Sequence, residues 1–195
     1  MKKKILVLMI GLLAFGAQAT QEYTIDAAHS EVGFSVKHMV VATVRGNFTE
    51  FSGKVYYDEN EIGNSSVEGV IKTASINTGN SKRDDHLRNS DFFDAANHPE
   101  ILFKTKRVEK KGDGFVAYGD LTMRGVTKEI AFDFEITGKI TDPWGNERVG
   151  LEARSVINRQ DFGVSWNNNL DNGGVVVSNE VKLLIQAELI KKKAS

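Results

Sequence analysis

The chain has 195 residues, a formal net charge of −1 and no cysteine. The lack of cysteine excludes disulfide frameworks, cysteine-ligated metal sites and thiol nucleophiles. The nearly equal numbers of basic and acidic side chains, 25 and 26, argue against nucleic acid as a partner.

Residues 1–19 have the features of a secretory signal peptide. A basic start, Met1–Lys4, precedes an apolar run, Ile5–Phe15, and the small-residue cleavage site Ala17–Ala19. The apolar run is about half as long as the ~20 residues that a membrane-spanning helix needs. We therefore expect an exported, soluble protein that begins near Thr20, without stable membrane insertion. The lysine-rich start and the lack of disulfides favour a periplasmic location.

Eight segments alternate apolar and polar residues with the two-residue period of half-buried strands. The connections are mostly short and contain turn residues, and no long helical pattern occurs. We predict one domain over residues 20–195, an all-β, extended eight-stranded antiparallel up-and-down barrel; a β-sandwich is the alternative. The predicted strands are Ser30–His38, Phe48–Tyr57, Ser66–Ile76, Glu100–Val108, Phe115–Met123, Ile130–Ile136, Leu151–Arg159 and Val175–Leu189.

The segment Ser81–Phe103, between predicted strands 3 and 4, lacks this alternation and is too long for a tight hairpin. Asp84–Asn89 has the composition of a short helix, for which Ser81 or Asp84 is the expected cap. Phe92 and Phe93 are interpreted as a hydrophobic plug. We predict a helix-containing insertion that acts as a lid on the barrel.

The predicted inner face of the barrel mixes large and small side chains. This mixture fits a solid core of interdigitated residues, and it fits a hollow barrel with room for a guest. A nine-residue strand tilted by about 40° gives a barrel about 23 Å high, which suits an extended acyl or prenyl chain. The large residues are Phe34, Phe51, Phe103, Phe132 and Phe134, and the small ones are Gly53, Gly69, Ala117, Gly119, Ala153 and Ser155.

Polar and aromatic residues near one end are candidates for contacts with a lipid head group. His38 shares the inward phase of Val36 and is either such a contact or a hydrogen-bonded core histidine. Arg83, His86 and Arg88 are expected to meet an anionic or quinone head group, or else to belong to a solvated helix face. Trp166 is a rim anchor or a part of the lid.

Other charged groups have simpler interpretations. Arg159 and Asp161 flank a bend and are expected to form an ion pair. The tail Lys191–Lys193 is a solvated end or a weak contact to anionic lipid.

Catalytic motifs are not found in the sequence. It has no nucleophile elbow, no phosphate-binding glycine loop and no HExxH spacing. Convergence of the histidines at 29, 38, 86 and 98 on a metal, and a hydrolase built from His86 and Asp91, are weaker alternatives. We predict that the protein is not an enzyme.

Several motifs, in order through nearly the whole chain after residue 19, resemble the YceI-like family of polyisoprenoid-binding periplasmic proteins. The resemblance implies a lipocalin-like barrel whose apolar interior takes an isoprenoid lipid, and it favours the hollow interpretation. The matching segments are Asp26–Ser30, Phe34–His38, Val44–Phe48, Arg83–Leu87, Asp91–Asp94, Pro99–Phe103, Gly119–Lys128 and Asn158–Gly163.

We therefore predict a periplasmic carrier of a polyisoprenoid or related long-chain lipid, such as an isoprenoid quinone or a fatty acid, with no metal and no other cofactor. A metal- or acid-dependent enzyme and a non-liganded stress-response interaction protein are the alternatives. Transient membrane contact and a homodimer are left open. The predicted ligand-binding residues are Phe34, Val36, His38, Phe51, Arg83, His86, Phe92, Phe93, Phe103, Phe132, Phe134 and Trp166.

Overall fold

The computed structural model describes residues 20–168 and 175–193; the predicted signal peptide, residues 1–19, lies outside them. The described chain forms eleven strands, one α-helix and four short 3-10 helices. The strands are β1 (Gln21–Ile25), β2 (Glu31–His38), β3 (Ala42–Phe48), β4 (Phe51–Tyr57), β5 (Ser66–Lys72), β6 (Ile76–Asn77), β7 (Glu100–Lys111), β8 (Gly114–Met123), β9 (Val126–Thr141), β10 (Glu147–Asn158) and β11 (Val177–Lys191). The α-helix is α1 (Ser81–Arg88), and the 3-10 helices are Ala27–His29, Ile62–Asn64, Thr73–Ser75 and Arg159–Phe162.

The eleven strands form an eight-stranded antiparallel barrel, because six of them follow one another end to end in three pairs, and each such pair takes the place of one barrel strand. β1 and β2 both pair with β11 and act as one interrupted strand. β3 and β4 pair with β2 and β1, respectively, and form the second interrupted strand. β5 pairs with β4, and β6 pairs with β3, which makes the third. The predicted barrel is therefore confirmed, and the sandwich alternative is excluded.

The interruptions of these three neighbouring strands lie side by side. Asp26 caps the 3-10 turn between β1 and β2 by accepting a hydrogen bond from the Ala28 amide at 3.1 Å. The Thr49 amide, between β3 and β4, donates to the Ser75 carbonyl at 3.1 Å. Because alternation stops at each break, the sequence predicted β2 and β4 but missed β1 and most of β3.

The insertion between β6 and β7 contains α1, as predicted, although its cap differs. Asn80 is the N-cap, and its side chain accepts a hydrogen bond from the Arg83 amide at 3.1 Å. The predicted caps, Ser81 and Asp84, are wrong. Asp84 is instead buried and accepts a hydrogen bond from the Thr78 amide at 2.9 Å, which attaches the helix to the end of β6.

Two apolar clusters lie at opposite ends of the barrel. The lid end, which carries α1, is packed around Phe48, Phe92 and Phe162. The far end, where β1 begins and β11 ends, is packed around Tyr23 and Leu189. The length of barrel between the clusters is where the candidate site lies.

Candidate functional site

An apolar cavity of about 300 Å³ runs inside the barrel. Its lining includes Phe92 and Met123 from the lid-end cluster and Val55 and Leu189 from the far-end cluster. The cavity therefore extends between the two packed ends. Its volume is at the lower end of the range of about 300–1,000 Å³ that is typical of ligand pockets.

Glycines in the wall help to make this space. Gly69 of β5 lies directly opposite Gly53 of β4, and a Cβ atom added at Gly69 would meet no atom within 4 Å. Gly119 of β8 differs, because a Cβ there would lie 2.6 Å from the ring of Phe103. Gly69 thus leaves the lumen open, whereas Gly119 lets the Phe103 ring approach the wall closely.

Eight of the twelve predicted ligand-binding residues line the cavity. The rings of Phe103 and Phe132 meet edge to face, with their centroids 5.3 Å apart. Contact between these residues and a ligand remains a prediction. The eight are Phe34, Val36, Phe51, Phe92, Phe93, Phe103, Phe132 and Phe134.

The other four predicted residues lie outside the described lining. Arg83 donates from Nε to the Thr78 hydroxyl at 2.7 Å and from Nη2 to the Thr78 carbonyl at 2.9 Å, so it fixes the start of α1. His38 is half-buried at the end of β2, paired with Ala42 and Val177. Head-group contact by these residues remains a prediction.

His86 and Trp166 form an aromatic cluster with Phe92 over the lid end. The His86 ring lies 5.0 Å from the Phe92 ring and 5.2 Å from the Trp166 ring, between centroids. Its Nε2 also lies 2.9 Å from an Asp91 carboxylate oxygen. Trp166 therefore packs on the lid through His86 and Phe92, of which Phe92 alone reaches the lumen.

Two arginines hold the lid to the barrel through carbonyl groups. Arg88 donates to the Ala74 carbonyl at 2.8 Å and to the Ile76 carbonyl at 3.0 Å. Arg124, in the β8–β9 turn, donates to the Ser90 carbonyl at 2.7 Å and to the Gly163 carbonyl. These bonds hold the insertion where α1 ends, on one side to the segment before β6 and to β6 itself, and on the other side to the β8–β9 turn.

Arg159 is the charged residue in the described lining, and its partners differ from the one that the sequence predicted. Its side chain is 4% exposed, and it donates to the carbonyls of Val164 at 2.6 Å and Ser178 at 3.0 Å. Burial lowers the pKa of its guanidinium below the ordinary value. The predicted ion pair with Asp161 is wrong, because the guanidinium is directed to carbonyls. The signal for this placement was that Arg159 continues the apolar phase of β10 one position beyond the end of the strand.

An outer cluster near the far end brings together Asp26, His29 and Glu188, whose possible metal-ligand atoms lie within 4.8 Å of one another. Arg148 donates to Asp26 at 2.9 Å and also to Glu188. Hydrogen bonds from His29 and Arg148 lower the pKa of Asp26, and the bond to Asp26 raises the pKa of His29. Because Arg148 already supplies positive charge here, the cluster is an ion-pair network.

The lysines at the end of β11 also have partners at the far end. Lys191 lies 3.5 Å from a Glu147 carboxylate oxygen, and Lys192 lies 3.1 Å from a Glu22 carboxylate oxygen.

In the part of the chain that the structure describes, the one α-helix is too short and too polar to cross a membrane.

A family model described as the YceI-like domain matches residues 23–189. The chain belongs to the YceI-like family. A UPF0312 protein of Photorhabdus laumondii is 36% identical to this YceI-like chain over 197 residues, covering 99% of the chain and 100% of the relative.

Solved structures agree with the YceI-like barrel. The YCEI protein of Campylobacter jejuni is 34% identical, with a TM-score of 0.68, and the match covers 88% of this chain and 98% of that one. A polyisoprenoid binding domain from Saccharophagus degradans has a TM-score of 0.61 at 15% identity, over 87% of this chain and 98% of that one. This second likeness is a likeness of fold.

Proposed function

We propose that this YceI-like protein is a periplasmic carrier that holds a polyisoprenoid or related long-chain lipid in its lumen. The observation that carries the proposal is the apolar cavity of about 300 Å³ between the two packed ends of the barrel. The polyisoprenoid binding of the Saccharophagus degradans domain, which has the same fold, supports this choice of ligand class.

The energetics of burial favour a long chain over a short one. Each buried methylene contributes about 0.8 kcal/mol, so ten of them contribute about 8 kcal/mol. Association itself costs about 4–15 kcal/mol. A short prenyl group would therefore bind weakly, whereas a long chain that fills the lumen would reach useful affinity.

The two alternatives receive less support from the described residues. A non-liganded interaction protein with a filled barrel does not account for the open space at Gly69. A metal-dependent enzyme needs a set of available ligands, but Asp26 and Glu188 already accept from Arg148. In the proposal, the protein binds and shields lipid without a chemical step.

Filling the lumen from Gly69 tests the proposal. A phenylalanine at this position would place its ring in the space that a lipid chain needs. We expect Gly69→Phe to weaken binding of tritiated geranylgeraniol, a prenyl alcohol, at least about tenfold, which corresponds to about 1.4 kcal/mol. Equilibrium dialysis measures the affinity, and circular dichroism checks the fold.

Gly138 provides a matched control. It is exposed on β9, it is not part of the cavity lining, and a Cβ added there would also meet no atom within 4 Å. Gly138→Phe adds the same atoms outside the lumen, so its affinity should equal that of the wild type. Equal binding by folded Gly69→Phe and wild type would show that the ligand does not occupy the lumen.

A further inference from the structure

The wall between β9 and β10 is paired along only part of its length. Among the described residues, the pairing of these two strands ends at Arg154 and Asp133. β9 nevertheless starts seven residues earlier, at Val126, and β10 continues to Asn158. In these lid-end parts, β9 still pairs with β8 and β10 with β11, so two strand edges face each other across a gap.

An outer groove of about 760 Å³ occupies this gap. Ile157 and Leu183 line the groove, and both also line the lumen. Val156, 57% exposed, lies on the groove side of β10. The groove and the lumen are therefore neighbours that share apolar side chains.

Side chains close the gap in place of a backbone ladder. Phe162 is buried, lines the groove and packs in the same cluster as Ile157 and Ile130. One polar link crosses between the strands, from the Ser155 hydroxyl to the Ala131 carbonyl at 2.7 Å. Because rotamer changes need no backbone hydrogen bond to break, this part of the wall opens more easily than a paired part.

The two ends of the barrel offer more resistance. At the lid end, Arg88 and Arg124 hold the insertion through charged hydrogen bonds to carbonyls, which are stronger than neutral ones. At the far end, Tyr23, Val149 and Leu189 are all buried. A lipid chain that entered through either end would have to disrupt these contacts.

We propose that the gap between β9 and β10 is the lateral port through which the apolar chain of a long-chain lipid enters and leaves the lumen. This inference rests on the proposed lipid-carrier function. In this proposal, Ile130, Ile157 and Phe162 form the gate of the port. The insertion that Arg88 and Arg124 hold in place stays closed over the lid end while lipid passes.

A covalent clamp across the gap tests the port. The chain has no cysteine, so Ala131→Cys with Val156→Cys introduces the only two thiols, both at exposed positions. The variant is loaded with tritiated geranylgeraniol and then cross-linked with a short bis-maleimide. We expect the cross-link to slow release of the probe at least about tenfold while its equilibrium affinity is unchanged.

Glu135→Cys with Glu152→Cys is the matched control, because these register partners lie in the paired part of the same two strands. The same cross-link there should leave the release rate as it is in the wild type. Unchanged release from the clamped Ala131/Val156 variant, or equal slowing in both variants, would overturn the port. If no protein retained the probe at all, the proposed function itself would fail.

Discussion

Arg159 places a positive charge beside an apolar lumen, where an isolated ion would be unfavourable. The four acceptors around it are all neutral oxygens: the carbonyls of Val164, Val177 and Ser178 and the side-chain oxygen of Asn179. Its guanidinium therefore joins the end of β10 to the start of β11. The residue is a structural bridge at the lid end of the cavity.

Arg159→Leu should destabilise the protein, because it leaves buried carbonyl oxygens without a donor. Each such oxygen costs about 1–3 kcal/mol, so we expect the free energy of unfolding, measured in urea, to fall by at least about 1 kcal/mol. Asp161→Asn is the control and should change it by less than about 0.5 kcal/mol. An equal fall in the free energy of unfolding in the two variants would instead support an ion pair between Arg159 and Asp161.

At this scale, strand phase predicted apolar strand residues that line the cavity, whereas the polar candidates lie outside the described lining and their contact with a ligand remains a prediction. Phe34, Phe103 and Phe132 lie in strands whose alternation fixes which side chains face inward. Arg83 and His86 lie in the insertion, where no such period exists. Their neighbours, Thr78 and Phe92, lie close by in the chain, but no periodic pattern predicts the turns that bring these side chains together.

Among the elements, the β2–β3 hairpin is built with unfavourable residues. Met39 and Val40 have φ values of +49° and +65°, a region that favours glycine and asparagine over β-branched residues. Val40 is 68% exposed, so burial does not offset the strain. Three residues, Met39–Val41, join the paired residues His38 and Ala42, and asparagine and glycine adopt a positive φ more readily than methionine and valine do.

Met39→Asn combined with Val40→Gly should therefore stabilise the protein. Relief of left-handed strain is worth about 1–2 kcal/mol per residue, and we expect the free energy of unfolding in urea to rise by at least about 1 kcal/mol. Val41→Ser, which removes exposed apolar surface at an ordinary φ, should have little effect. A loss of stability in the Asn-Gly variant would mean that the native side chains make contacts that outweigh the strain.

β1 and β3, the halves of interrupted strands that the sequence missed, were missed for different reasons. β1 has five residues, which are too few for its alternation to stand out. β3 has seven residues, as many as β4, but Gly46 stands between Val44 and Phe48 in its apolar phase. The count of eight was nevertheless correct, since one half of each interrupted strand was predicted.

For the whole molecule, periodicity alone left two interpretations of the interior. Large and small inward residues fit both a solid and a hollow barrel, and it was the resemblance to the YceI-like family that favoured the hollow one. The structure shows why composition was insufficient: Gly119 is covered by Phe103, whereas Gly69 faces open space. Two glycines with the same strand phase thus have opposite effects on the cavity.

The central claim is that the lumen holds a long-chain lipid. Native mass spectrometry of gently purified protein, followed by solvent extraction and lipid analysis, tests it most directly. We predict a population heavier than the bare chain by the mass of one lipid, with a long-chain or isoprenoid lipid recovered in the extract. A bare mass alone, with no lipid extracted and no binding of added prenyl or acyl probes, would contradict the claim.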